Sequence, residues 1–223
     1  MRPPNEGWLE KTLDDQEIDY LWRCIESKKK GMKRLLAGNI TGSYRLQDKE
    51  NWFFTNTIKP LIVKYVKEFG NPGDDLGMNQ LHPYCLHSLW VNYQNQQEFN
   101  PLHDHAGVYS FTIWMKIPTR FDEQIKNPIA FTANNKQISN FSFTYVNILG
   151  DISSYTYNMC PEMEGRMVFF RSQLSHQVYP FYNCKEERIS IAGNVTANTK
   201  IVLWYSLELN STEEPWTFNA ILH

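Results

Sequence analysis

Behind Asp14 and Asp15 the apolar residues return at helical intervals. Ile18, Leu21, Trp22 and Ile25 share one face, and Asp14 and Asp15 stand where an N-cap belongs. A second helical stretch runs from about Lys49 to Phe69 and stops at Gly70-Asn71-Pro72-Gly73; Pro60 inside it predicts a kink or a break. From about Cys85 the texture changes to alternation rich in Val, Ile, Tyr, Phe, Trp and Thr. This pattern predicts strands over 85–94, 107–117, 128–133, 140–147, 152–157, 165–170, 175–180 and 187–196, with a further one near 200–207.

Short strands separated by turn signals predict a sandwich, barrel or jelly roll. Alternation assigns faces: Phe111, Ile113, Met115 and Ile117 lie on one side, Ser110, Thr112, Trp114 and Lys116 on the other. The half-polar side fits either solvent or the lining of a polar cavity. The same holds for Arg188, Ser190 and Asn194 against Ile189, Ile191 and Val195. With no repeat and no low-complexity linker, the expectation is a single domain over 1–223: a helical N-terminal layer (1–80), a β core (85–196) and a C-terminal extension (197–223).

Composition narrows the classes. At 42% apolar and 14% aromatic residues the chain can bury a real core. Its 22 basic and 24 acidic side chains nearly balance, and the one basic cluster, Lys28-Lys29-Lys30 with Lys33 and Arg34, reads as a solvated helix face, not a nucleic-acid patch. No apolar run is long enough to cross a membrane, and the first residues lack a signal-peptide core. Cys24, Cys85, Cys160 and Cys184 are widely spaced, which fits free thiols in a reducing, cytoplasmic setting.

The candidate chemistry lies in three segments. In Asn100-Pro101-Leu102-His103-Asp104-His105, residues 103 and 105 of an extended stretch project to one side, where two imidazoles can chelate one metal. Gly165–Pro180 holds a strand ending in two aromatics, a short turn, then His176 followed by Val178 and Pro180. Twelve residues after His176 comes Arg188-Ile189-Ser190. Together these resemble the 2-oxoglutarate- and Fe(II)-dependent oxygenases, and most of all the small prolyl-hydroxylase-like members that phages encode.

That resemblance implies a mainly β fold, a double-stranded β-helix (jelly roll, cupin-like) core with the N-terminal helices packed on it. It implies Fe(II) held by His103, His105 and His176. It implies 2-oxoglutarate as co-substrate, its far carboxylate on Arg188 and Ser190, and O₂ as the oxidant. The expected activity is a dioxygenase's: hydroxylation of an unidentified substrate, a peptidyl one by family analogy, with release of succinate and CO₂. A planar guanidinium suits a buried carboxylate because it pairs bidentately.

The family's usual His-x-Asp or His-x-Glu is here His-x-His. Either His105 takes the carboxylate's place or Asp104 supplies it, and the shared facing of 103 and 105 favours the histidine. Softer candidates for the co-substrate are Asn92 or Tyr93, only one of which can face inward, and Lys116 beside Arg188. His82 and His87 read as structural. Two rival readings are a cupin-like three-histidine enzyme without 2-oxoglutarate and a non-catalytic jelly-roll module.

Overall fold

A computed structural model describes residues 7–28, 38–72 and 83–198. The strand expected near 200–207, the extension beyond 198, His82 and most of the basic cluster lie outside these residues.

Helix α1 (Asp15–Glu26) starts at Asp14, whose carboxylate accepts from the Glu17 amide at 2.8 Å while Glu17 accepts from the Asp14 amide at 2.9 Å. This reciprocal capping satisfies two amides that the first turn leaves without helical partners. Glu17 is buried, and its carboxylate also binds the Thr57 hydroxyl and the Lys11 ammonium. The stretch 49–69 is broken, as Pro60 predicts: a 3₁₀ turn (Lys49–Asn51) and a π-helical turn (Phe54–Ile58) precede α2 (Lys59–Phe69), with Pro60 in its first turn.

Among the described residues ten strands form two antiparallel sheets. The larger has the order β1 (Trp8–Thr12), β8 (Arg166–Arg171), β5 (Tyr109–Lys116), β10 (Arg188–Ala197), β3 (Tyr84–Gln94), β2 (Gly42–Arg45). The smaller has β4 (Asn100–His103), β9 (His176–Val178), β6 (Asn140–Val146), β7 (Ile152–Asn158). Two strands expected nowhere, β1 and β2, come from the N-terminal part, which is therefore not purely helical. β4 also went unforeseen.

The strand expected over 128–133 is instead a short helix, α4 (Pro128–Phe131), which follows another, α3 (Phe121–Gln124). Asn127 caps α4 by accepting from the Ile129 amide, and Pro128 takes the first turn. Capping thus overrides the β propensity of Ile129 and Phe131, which stay exposed.

The larger sheet separates two cores. On its outer side Phe111, Ile113, Met115, Val91 and Ile191 pack with Leu21, Ile25, Ile58, Ile62 and Tyr65 of the helical layer. On its inner side Trp114, Val168 and Phe170 meet Phe141, Phe143 and Tyr157 of the smaller sheet. Alternation along each strand feeds both cores, so the polar positions of β3, β5 and β10 face the space between the sheets. The chain is a jelly roll with helices over one face. Among the described residues no helix is long and apolar enough to cross a membrane.

Candidate active site

Three imidazoles converge at one end of the space between the sheets. His103 ends β4, His176 begins β9, and the two stand directly opposite each other in the antiparallel pair. His105 follows two residues on. One ligand atom from each lies within 4.8 Å of the others, and this is the one such group of three metal-binding side chains among the described residues. Asp104, exposed between the two histidines, is not part of it.

The neighbours orient each ring. His103 Nδ1 lies 2.7 Å from the Pro101 carbonyl and His176 Nδ1 3.0 Å from that of Leu174. Those carbonyls hold the proton on Nδ1 and leave Nε2 as a lone pair, the usual way a protein presents a metal-binding imidazole. The His105 amide donates to the Ser172 carbonyl at 2.9 Å, tying its loop to the turn before β9. Gly107 allows that tie: its φ is +113°, and a Cβ there would stand 2.8 Å from the Val195 carbonyl oxygen.

His176 is packed among Phe141, Phe143 and Phe170, and His105 lies against the Trp90 ring. Burial is the main cause that lowers the His176 pKa to about 3 and the His105 pKa to about 4. Coulombic repulsion from His103 adds to both shifts, and Asp104 opposes that of His105. Both rings are neutral at physiological pH, as metal ligands must be.

A cavity of about 460 Å³ opens in front of the triad. Ser88, Trp90 and Asn92 of β3, Thr112 of β5, and Ser190, Ala192 and Asn194 of β10 form its floor; Phe141 and Val178 line the opposite sheet. Of the adjacent candidates Asn92 and Tyr93, Asn92 faces inward, its Oδ1 accepting from the Ser43 hydroxyl at 2.7 Å. Tyr93 faces out, against Tyr44 and Lys28. Lys116 stays away from the cavity, its ammonium on Glu186 at 2.7 Å in an exposed ion pair.

Ser190 lines the cavity, whereas Arg188 lies behind its lining, 3% exposed. Its guanidinium donates to the Ser139 hydroxyl at 2.6 Å and to Gln94 at 3.4 Å, over the Phe181 ring. Nε has no acceptor, and no carboxylate among the described residues pairs with this cation. Burial lowers the Arg188 pKa to about 9, which leaves it charged at neutral pH. The unpaired buried cation fits an anionic ligand, and the all-imidazole donor set fits a divalent transition metal.

Sequence patterns missed part of this cavity. Arg45 of β2 and His87, which sequence pattern alone marks as structural, both line it. Only the pairing of β2 with β3, which sets Arg45 opposite Trp90 and Ser43 opposite Asn92, brings the β2 residues there.

Residues 88–194, from β3 through most of β10, match the family described as "Putative 2OG-Fe(II) oxygenase". Similar solved structures include a prolyl-4-hydroxylase from Pseudomonas putida (13% identity, TM-score 0.48, covering 86% of this chain and 93% of that one). Another is a prolyl hydroxylase from Trichoplax adhaerens in complex with a hypoxia inducible factor oxygen degradation domain peptide fragment (12%, 0.49, 89% and 87%). A third is the viral collagen prolyl hydroxylase of Paramecium Bursaria Chlorella virus-1 in its 2OG complex (13%, 0.44, 86% and 97%). No curated protein matches the sequence. The matched span contains all three histidines and the Arg-x-Ser strand, and it supports assignment to the 2-oxoglutarate- and Fe(II)-dependent oxygenase superfamily. It is an enzyme of the dioxygenase class, and its family depends on Fe(II) and 2-oxoglutarate.

Proposed function

We propose that the protein hydroxylates a C–H bond of its primary substrate, with His103, His105 and His176 as the iron ligands. Arg188 and Ser190 receive the far carboxylate of 2-oxoglutarate. The observation that carries this reading is the convergence of three imidazole donors within 4.8 Å at the end of a cavity. When bound, iron and 2-oxoglutarate supply the oxidising chemistry: O₂ is consumed, one oxygen atom enters the substrate and the other enters succinate as CO₂ leaves.

The chain's own residues bind, orient and shield. Arg188 brings a charge that nothing in the described protein neutralises, and its free Nε supports a role toward a carboxylate. Ser190 adds a hydroxyl donor on the cavity side. With Oδ1 of Asn92 engaged by Ser43, its amide N–H groups remain for a 2-oxo acid oxygen. Trp90 packs against His105, and Phe141 and Phe170 pack against His176, shielding those two rings from water.

A peptidyl C–H bond is the target that the likeness to prolyl hydroxylases offers, and no cavity residue argues for it. The four free cysteines support a reducing, cytosolic setting. The test is succinate formation by the purified protein given Fe(II), 2-oxoglutarate and O₂. Wild type should form it, and His176→Ala should form none; equal rates in the two would refute the assignment.

A further inference from the structure

The cavity in front of the three histidines carries two charged side chains that the co-substrate reading does not use. Arg45, on β2, and Asp104, between two of the proposed ligands, both line it. Neither has an ion-pair or hydrogen-bond partner among the described residues, and they do not pair with each other. Both charges border one concave site, and neither is consumed by the protein itself. Two that stay apart leave room for a ligand carrying both signs.

Their placement relative to the metal site is defined. Arg45 is the cross-strand partner of Trp90, on the same face of the larger sheet, and directly opposed residues stand roughly 5 Å apart. The Trp90 ring in turn lies 5.8 Å from that of His105, inclined to it by 27°. A guanidinium on its flexible stem at position 45 therefore reaches the space over the Trp90–His105 pair from the sheet side. Asp104 borders the same space from the loop side, one residue from each of two histidines. Ser43, the other inward residue of β2, is occupied with Asn92, which leaves Arg45 as the charged group that β2 offers to the cavity.

We infer that the primary substrate is a small zwitterion, a free amino acid, whose carboxylate is taken by Arg45 and whose ammonium is taken by Asp104. The aliphatic carbons of such a molecule then lie over Trp90, facing the three imidazoles. An internal residue of a peptide has neither free charge and would leave both side chains unmatched, so the pair also discriminates against polypeptide substrates. This rests on the reading of the cavity as that of a 2-oxoglutarate-dependent oxygenase; Arg45 and Asp104 are assigned to the substrate, Arg188 to the co-substrate.

The test uses the full chain loaded with Zn(II), an inert substitute, and 2-oxoglutarate. Binding of the twenty free L-amino acids, their amides and N-acetyl forms, and unmodified peptides is read by ligand-observed NMR. At least one free amino acid should bind, with its amide and its N-acetyl form each at least about 10-fold weaker. Arg45→Gln should weaken the acid about 10-fold and leave its amide unchanged; Asp104→Asn should weaken the free amine and leave the N-acetyl form unchanged. Melting temperatures check that both variants remain folded.

Binding of peptides but of no free amino acid overturns the inference, as does an amide that binds as well as its acid. So does an Arg45→Gln variant that loses 2-oxoglutarate as fully as it loses the amino acid, because Arg45 would then serve the co-substrate. Wild-type protein that binds a free amino acid but no 2-oxoglutarate would instead defeat the oxygenase reading while leaving the zwitterion site standing.

Discussion

His105 and His176 have nearly parallel rings, their planes 4° apart, and their Nε2 atoms are 3.1 Å apart. With the Nδ1 proton of His176 held by the Leu174 carbonyl, its Nε2 offers only a lone pair. His105 must therefore donate when no metal is present, and a metal ion between them would replace that single proton.

Metal content distinguishes the proposed ligands from the residue between them. His105→Ala and His176→Ala should each retain less than a tenth of the wild-type Fe(II) after dialysis. Asp104→Ala should keep nearly all of it. Metal analysis of the three proteins side by side checks this, and loss of iron in Asp104→Ala alone would reverse the assignment.

The histidines also set an acid limit on the metal-free protein. Their folded pKa values, about 4 for His105 and about 3 for His176, lie below the ordinary value of 6.5. The unfolded chain thus binds protons that the folded chain refuses, so stability is intact above pH 6.5 and falls as the pH drops toward 4. At about 1.4 kcal/mol per proton and pH unit, the loss by pH 4 is roughly 3–6 kcal/mol. Urea unfolding at several pH values measures it, and His176→Phe should flatten the profile by about half.

Arg188 is a buried cation whose anion is absent from the described protein, so its cost falls on the ligand-free state. Arg188→Met should melt no lower than wild type without ligand, and up to about 2 kcal/mol more stable, because a hydrophobic side chain of similar length removes an unpaired charge. It should lose at least about 30-fold in 2-oxoglutarate affinity while keeping its metal. Arg188→Lys should recover little of that affinity, since a point charge lacks the guanidinium fork. Calorimetric titration of metal-loaded protein with 2-oxoglutarate reads all three.

Gly107→Ala should cost about 2 kcal/mol or more. It forces a left-handed φ on a residue with a Cβ and drives that carbon into the Val195 carbonyl oxygen. Because this loop ties His105 to Ser172, metal affinity should fall together with stability. Lys116→Ala, which removes an exposed ion pair with Glu186, should change both by little.

What the sequence made legible follows from where alternation is enforced. Strands β3, β5, β6, β8 and β10 sit inside sheets with both sides covered or with a strict inward face, and their patterns are plain. β1, β2 and β4 are sheet edges of four or five residues. Only one side of such a strand bonds to a neighbour and its burial is irregular, so no period stands out. The error at 128–133 has a local origin, since Asn127-Pro128 reads as a cap once its acceptor role is given weight. The three histidines were legible because chain order and spacing carry them, and Arg45 was not, because its role depends on a pairing 45 positions away.

The division of each central strand into an outward and an inward set bears on how such a protein can change over generations. Along β10, Ile189, Ile191 and Val195 answer to the helical layer, while Arg188, Ser190, Ala192 and Asn194 answer to the cavity or its back wall. Drift on the outward set is limited by volume and drift on the inward set by ligand chemistry, and the backbone between them keeps the two nearly independent. A lineage could exchange one substrate for another through inward positions and the cavity residues of β2, while the packing beneath the helices remained as it was inherited.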